Sequence, residues 1–220
     1  MSFYAFTRWL FRHWWRLCYG FKVTGWENVP AHGGCLVVCN HISFMDPGAV
    51  GTAIPHRQVH FMAKKELFER PFSRALMQAW GAFPVDRGHA DRRSMKTAME
   101  LLQQGRVVGL FPEGTRSVDY QMGDWHVGMA MLANRGRAPI VPAALINTRA
   151  TLEERRALPG GPPVHVRFGA PIPVPAEPLG RDQLEALRDR ARAAVEAMLS
   201  EMMVREPRGG SLWPSGPRER

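Results

Sequence analysis

The stretch CLVVCNHISFMDP, residues 35–47, decides how the rest of the chain is read. Cys35–Cys39 is a compact apolar run bounded by Gly33 and Gly34 on one side and by Asn40 on the other, the pattern of a short buried strand. His41 follows it directly. Pro47 suits the first turn of a helix, with Asp46 as its expected N-cap, so residues 41–46 form a turn between strand and helix. A strand, a polar turn and a helix in succession is the repeating unit of an α/β sheet, in which chemistry collects in the loops after the strands.

The pattern continues outward in both directions. Short strands are expected at 20–24, 58–62, 82–85, 107–111, 140–146 and 165–168, with a turn at 25–30. Helices are expected from Pro71 to near Gly81, over 91–104 with Gly105 closing it, over 127–134 ending at Gly136, and over 182–203. Met95, Ala98, Met99 and Leu102 give the second of these an inward face. Leu184, Leu187, Ala191, Val195, Met198 and Met202 do so for the last. The alternation predicts an α/β fold, a mostly parallel sheet flanked by helices, over residues 22–206. The Gly/Pro/Arg-rich segment 207–220 is expected to be a disordered tail.

Residues 1–21 are expected to form an amphipathic helix lying on a membrane surface. At 100° per residue, Phe3, Phe6, Leu10, Trp14, Leu17 and Phe21 share one stripe. Arg8, Arg12 and Arg16 fall opposite, with Trp9 and Trp15 on the flanks. The alternative is a helix packed on its own domain with a solvated arginine face. A transmembrane helix is not expected: the longest uncharged run, 28–45, is broken by Pro30, His32, Asn40 and His41. Nor is a secretory signal, because three arginines interrupt the N-terminal apolar residues.

Apolar residues at 45% and charged residues at 22% argue against a wholly disordered chain. The net charge of +9 favours an anionic partner: membrane surface, phosphorylated substrate or nucleic acid. The arginines are scattered and no nucleic-acid motif is present, so nucleic acid is not expected as a partner. Three cysteines without a CxxC spacing fit a reducing compartment.

Three segments carry candidate chemistry. A turn can bring His41 and Asp46 together, giving a base near neutral pKa and a carboxylate to hold its tautomer. The plain structural alternative is a strand-end histidine beside a helix cap. No G-x-S-x-G is present and neither Cys35 nor Cys39 sits in an exposed elbow, so the attacking group is expected to be a substrate hydroxyl activated by His41. The second segment, Phe111-Pro112-Glu113-Gly114-Thr115-Arg116-Ser117, follows an apolar strand and offers a guanidinium, hydroxyls and close backbone amides, parts that suit a phosphate or make an ordinary turn. In the third, Gly81–Arg87, Arg87 stands just past a strand as a second candidate phosphate ligand. His56 and His60 find no partners that would complete a metal site, and no GxGxxG or Walker A turn occurs.

Together and in this order, these segments resemble the glycerophospholipid acyltransferases, above all the bacterial 1-acyl-sn-glycerol-3-phosphate acyltransferases. His41-x4-Asp46 matches the first motif of that family, Gly81–Arg87 the second, Phe111–Ser117 the third and Val141-Pro142 the fourth, so that the resemblance runs from Val23 to Ile172. It implies that His41 is the general base on the acceptor hydroxyl and that Asp46 orients it. Arg87, Glu113, Gly114, Thr115 and Arg116 would bind the acceptor, the arginines at its phosphate, and Pro142 would help shape the acyl site. The donor would be acyl-CoA or an acyl carrier protein thioester, with no metal or other cofactor. Many relatives carry Lys where this chain has His126, which adds its charge beside the phosphate only when protonated.

The resulting expectation is transfer of a fatty acyl group to the sn-2 hydroxyl of lysophosphatidic acid, at the cytoplasmic face of the cell membrane by a peripheral protein. Its rivals are the same reaction on another lysolipid or alcohol, thioester hydrolysis, and a non-catalytic basic protein of the membrane surface.

Overall fold

The computed structural model describes residues 3–86, 91–117, 121–149 and 162–205. The apolar runs become strands: β1 (Lys22–Thr24), β2 (Cys35–Cys39), β3 (Val59–Lys64), β4 (Phe83–Val85), β5 (Val107–Leu110), β6 (Ile140–Ile146) and β7 (His165–Phe168). Among the described residues they form one seven-stranded sheet in the order β1-β7-β6-β2-β5-β3-β4. Every neighbouring pair is parallel except β6 with β7. The expected mostly parallel α/β sheet is therefore present, with an inversion at one side.

The helices are α1 (Phe3–Tyr19), α2 (Asp46–Ala53), α3 (Pro71–Ala79), α4 (Arg92–Gln103), α5 (Gly128–Arg135) and α6 (Arg181–Arg205). Alternation along the strands sorts the core into two layers. Cys35, Val37, Cys39, Val107, Val141, Ala143 and Leu145 face α1 and α2. Leu36, Val38, Val108, Ile140, Ala144 and Ile146 face α4, α5 and α6. The inward faces expected for α4 and α6 are those observed: Ala98, Leu102, Ala191, Val195 and Met202 are buried. Asp91 starts α4 by accepting the Arg93 and Ser94 amides at 3.0 and 3.1 Å.

The N-terminal helix is present, but its faces differ from the expected ones. Trp15, expected on a flank, is fully buried with Tyr19, and Phe21 is buried beyond the helix end. These rings pack into the α2 side of the core, Trp15 stacking on Phe21 at 5.8 Å. Arg8 does not face outward. Its guanidinium turns under α2 and donates to the carbonyls of Ile54, at 2.7 Å, and Pro55. Phe3, Phe6, Trp9, Leu10 and Leu17 are exposed, Leu17 to 80%. Four of the six residues of the expected stripe therefore face away from the protein, while its Trp14 and Phe21 turn inward. No helix among the described residues is long and apolar enough to cross a membrane. The expected disordered tail and Arg87 lie outside the described residues.

Candidate active site

The turn after β2 brings His41 and Asp46 together. Nδ1 of His41 stands 2.8 Å from Oδ2 of Asp46, and both side chains are almost wholly buried. The same oxygen accepts the backbone N–H groups of Ile42 at 2.7 Å and Ser43 at 2.8 Å. The other oxygen, Oδ1, accepts the hydroxyl of Thr148 at 2.5 Å. Asp46 is the first residue of α2 and reaches back into the turn before it. It is not the N-cap that the sequence suggested, a position taken by Met45 without a side-chain cap bond. With the Ile42 and Ser43 amides and the Thr148 hydroxyl donating to this carboxylate, the contact at Oδ2 fits the tautomer with its proton on Nδ1 of His41, which leaves Nε2 as the accepting nitrogen.

The ring of His41 is fixed from one face. Phe111 stacks on it, with centroids 4.1 Å apart and planes 18° apart, and Phe61 stacks on Phe111 at 5.7 Å. Phe61 reaches that place by lying flat on Gly109 of β5, where a Cβ would stand 2.2 Å from its ring. Asn40 clamps the end of β2 to β6 through a two-way bond with the Leu145 backbone, at 3.0 and 2.9 Å.

The segment after β5 folds back over this turn. The Ser117 N–H donates to the His41 carbonyl at 2.9 Å. Glu113 is buried, and its carboxylate accepts the His41 N–H at 2.8 Å through one oxygen and the Gly123 N–H at 2.9 Å through the other. Burial pushes its carboxyl pKa up, a rise moderated by the Gly123 and His41 amides. Glu113 therefore braces two loops on the same turn that carries the expected acceptor-binding residues. Gly114, Thr115 and Arg116 are exposed on the same turn, Gly114 with the φ of +71° that favours glycine. His126, also exposed, joins them: a Cβ on Gly114 would stand 3.4 Å from its Nε2.

Pro142 is not brought to this cluster. It lies within β6 in register with Val38 and packs toward Gly169 and Met198, on the α6 face of the sheet rather than the α2 face. The two strand cysteines are poor nucleophiles: burial pushes Cys35 up to about 11, and burial with the charges of Asp46 and Glu113 raises Cys39 well above an ordinary thiol. Among the described residues no group of three His, Cys, Asp or Glu could hold a metal ion.

Thr148 and Arg149 were missed by sequence reasoning. Both follow β6, and Nη1 of Arg149 donates to the Ser117 carbonyl at 3.3 Å. Thr148 lies 102 residues from Asp46 in sequence. The one local signal near it is Asn147, a residue tolerant of left-handed backbone placed just past a strand.

Residues 20–146 match the family model described as Acyltransferase. The 1-acyl-sn-glycerol-3-phosphate acyltransferase of Bacillus subtilis is 41% identical over 126 residues, which are 57% of this chain and 62% of that protein. The human 1-acyl-sn-glycerol-3-phosphate acyltransferase alpha is 32% identical over 194 residues, 86% of this chain and 66% of its own length. The chain thus spans somewhat under two thirds of these relatives. The crystal structure of the 1-acyl-sn-glycerophosphate (LPA) acyltransferase PlsC from Thermotoga maritima shares the fold, with a TM-score of 0.69 over 90% of this chain and 81% of its own at 21% identity.

Proposed function

The chain belongs to the acyltransferase family, and from that premise we propose that it moves a fatty acyl group from a thioester to the sn-2 hydroxyl of lysophosphatidic acid, giving phosphatidic acid. The observation that carries the reading is the buried His41–Asp46 pair at the end of β2, with the Glu113–Ser117 turn bonded back onto His41. The names of the Bacillus and human relatives support the choice of acceptor.

Nε2 of His41 takes the proton from the acceptor hydroxyl as its oxygen attacks the thioester carbonyl carbon. The C–S bond then breaks, and the thiolate leaves with the proton that His41 returns. The chain supplies the base, and Asp46 offsets the imidazolium charge during the step. Arg116, Thr115 and the amides around Gly114 line the acceptor phosphate, with Arg87 as a further ligand. His126 adds charge there when protonated. The donor is acyl-CoA or an acyl carrier protein thioester.

The exposed Phe3, Phe6, Trp9, Leu10 and Leu17 of α1 rest in the interface of an anionic membrane at its cytoplasmic face, so that the protein is peripheral. A thiol-release assay tests the reading: acyl-CoA and acyl carrier protein donors are each offered against lysophosphatidic acid, other lysophospholipids and non-phosphorylated acceptors. Thiol release dependent on lysophosphatidic acid supports it. Equal release without any acceptor would indicate a hydrolase instead, and a better rate with an acceptor lacking phosphate would refute the lysophosphatidic acid assignment.

A further inference from the structure

We infer that Thr148 is a positioning residue of the catalytic pair, setting the orientation and basicity of Asp46 and through it those of His41. The inference deepens the acyl-transfer reading and rests on it for its kinetic consequence, though not for its structural one.

The backbone is built to deliver this hydroxyl. Along β6, Ile140, Ala144 and Ile146 face the α6 layer, and Val141, Ala143 and Leu145 face the α2 layer. Simple alternation would send residue 148 to the α6 side, away from Asp46. Asn147 breaks the alternation with a left-handed φ of 68°, held by its side-chain amide on the Pro163 carbonyl at 2.8 Å. Thr148 thereby reaches the α2 side and meets Asp46. Both residues are completely buried, and the 2.5 Å separation is that of a hydroxyl bonded to a charged carboxylate.

The bond has two effects. It fixes the rotation of the carboxylate, because Oδ1 is held by Thr148 while Oδ2 serves His41, Ile42 and Ser43. It also draws electron density from the carboxylate, making Asp46 a weaker proton acceptor toward Nδ1 of His41. Thr148 lies two residues beyond the segment that the family model matches.

Among the described residues, the charged and titratable groups around His41 are Asp46 on α2, Glu113 after β5, Cys39 on β2, and Arg149, which reaches the Ser117 carbonyl beside it. Removing the Thr148 hydroxyl leaves all of these in place. Asp46 then stabilises the imidazolium more strongly.

The experiment compares Thr148→Val, which keeps the shape, with Thr148→Ser, which keeps the hydroxyl. In the full chain, the His41 imidazole is titrated by NMR, and kcat and KM are followed against pH. Thr148→Val should raise the His41 pKa by a few tenths to about one unit and lower kcat roughly tenfold with little change in KM. Thr148→Ser should restore both. An unchanged His41 titration in a folded Thr148→Val protein overturns the inference, as does a Ser variant as impaired as Val. The titration requires no turnover. A shifted imidazole in a protein without acyl transfer would therefore count against the proposed reaction while leaving the Thr148 contact standing.

Discussion

Replacing Asp46 by Asn asks whether its charge or its geometry matters more. Asn offers one acceptor oxygen and one NH2 group in place of two oxygens. At the Oδ2 position an NH2 would oppose the Ile42 and Ser43 amides, which cannot turn away, at 2.7 and 2.8 Å. Each unsatisfied amide costs about 1–3 kcal/mol. At the Oδ1 position the same NH2 meets, among the described residues, the Thr148 hydroxyl, whose oxygen can accept. The amide oxygen therefore stays toward His41, and Nδ1 keeps its proton. The tautomer survives and only the charge is lost. A charge-assisted bond of ~1.5–3 kcal/mol becomes a neutral one of ~0.5–1.5 kcal/mol. The difference, roughly 1–1.5 kcal/mol, corresponds to a drop in kcat of about 5- to 15-fold. Where Asn imposes the wrong tautomer in a serine-protease triad, the loss is near 10⁴. The assay is thiol release at saturating substrates, with circular dichroism to establish that the variant is folded. A loss of 10³ or more in a folded protein would show that the amide turned the other way and would refute the argument. Undiminished activity would refute the role of the charge.

Other substitutions test the remaining parts of the molecule. His41→Ala should abolish nearly all turnover in a folded protein, and retention of more than about a tenth of kcat would dismiss it as the base. Glu113 has a folded-state carboxyl pKa above its unfolded value, so its protonated form contributes stability that is complete in acid and lost as pH rises through the raised pKa. The melting-temperature difference between wild type and Glu113→Gln should accordingly shift against the wild type as pH rises, and a shift the other way would contradict the burial argument. Arg8→Ala, which frees the Ile54 and Pro55 carbonyls, should lose about 1.5–3 kcal/mol of stability, a fall of several degrees in Tm, without first affecting vesicle binding. Leu17→Ser should do the reverse, weakening co-sedimentation with anionic vesicles at unchanged Tm. His126→Lys, which puts a fixed charge beside Gly114, should lower KM for lysophosphatidic acid, and an unchanged KM would remove position 126 from the phosphate site.

Local signals made the centre of the fold and site legible. The apolar run 35–39, the polar turn and Pro47 lie within thirteen residues, so one window held the strand, His41 and its carboxylate partner. The faces of α1 were not readable in the same way. Periodicity finds stripes but not which stripe meets the protein, and α1 carries aromatic rings on more than one side. Tertiary packing chose Trp15 and Tyr19, and the carbonyls at the end of α2 drew Arg8 inward. Glu113 was expected at the acceptor from the family resemblance, and its bracing role was not legible. The amides it accepts, those of His41 and Gly123, are 72 and 10 residues distant. Pro142 was placed by motif alone, and strand parity sends it to the opposite layer. Thr148 depends on a long-range contact made possible by one left-handed residue, a combination no window of sequence contains.

The attachment of α1 has a consequence for where the reaction takes place. Tyr4 donates to the Gly51 carbonyl at 3.4 Å and Arg8 to those of Ile54 and Pro55, so α1 is fastened to the far part of the same short helix whose first residue is Asp46. Eight residues of helix span only about 12 Å. On a bilayer, an N-terminal segment joined this way is no tether from which the rest of the protein can swing. Under the proposed membrane reading it would work as a depth gauge, setting the height of His41 relative to the plane of the exposed rings, so that acceptors would be sorted by how far they lift a hydroxyl above that plane as well as by the headgroup they carry.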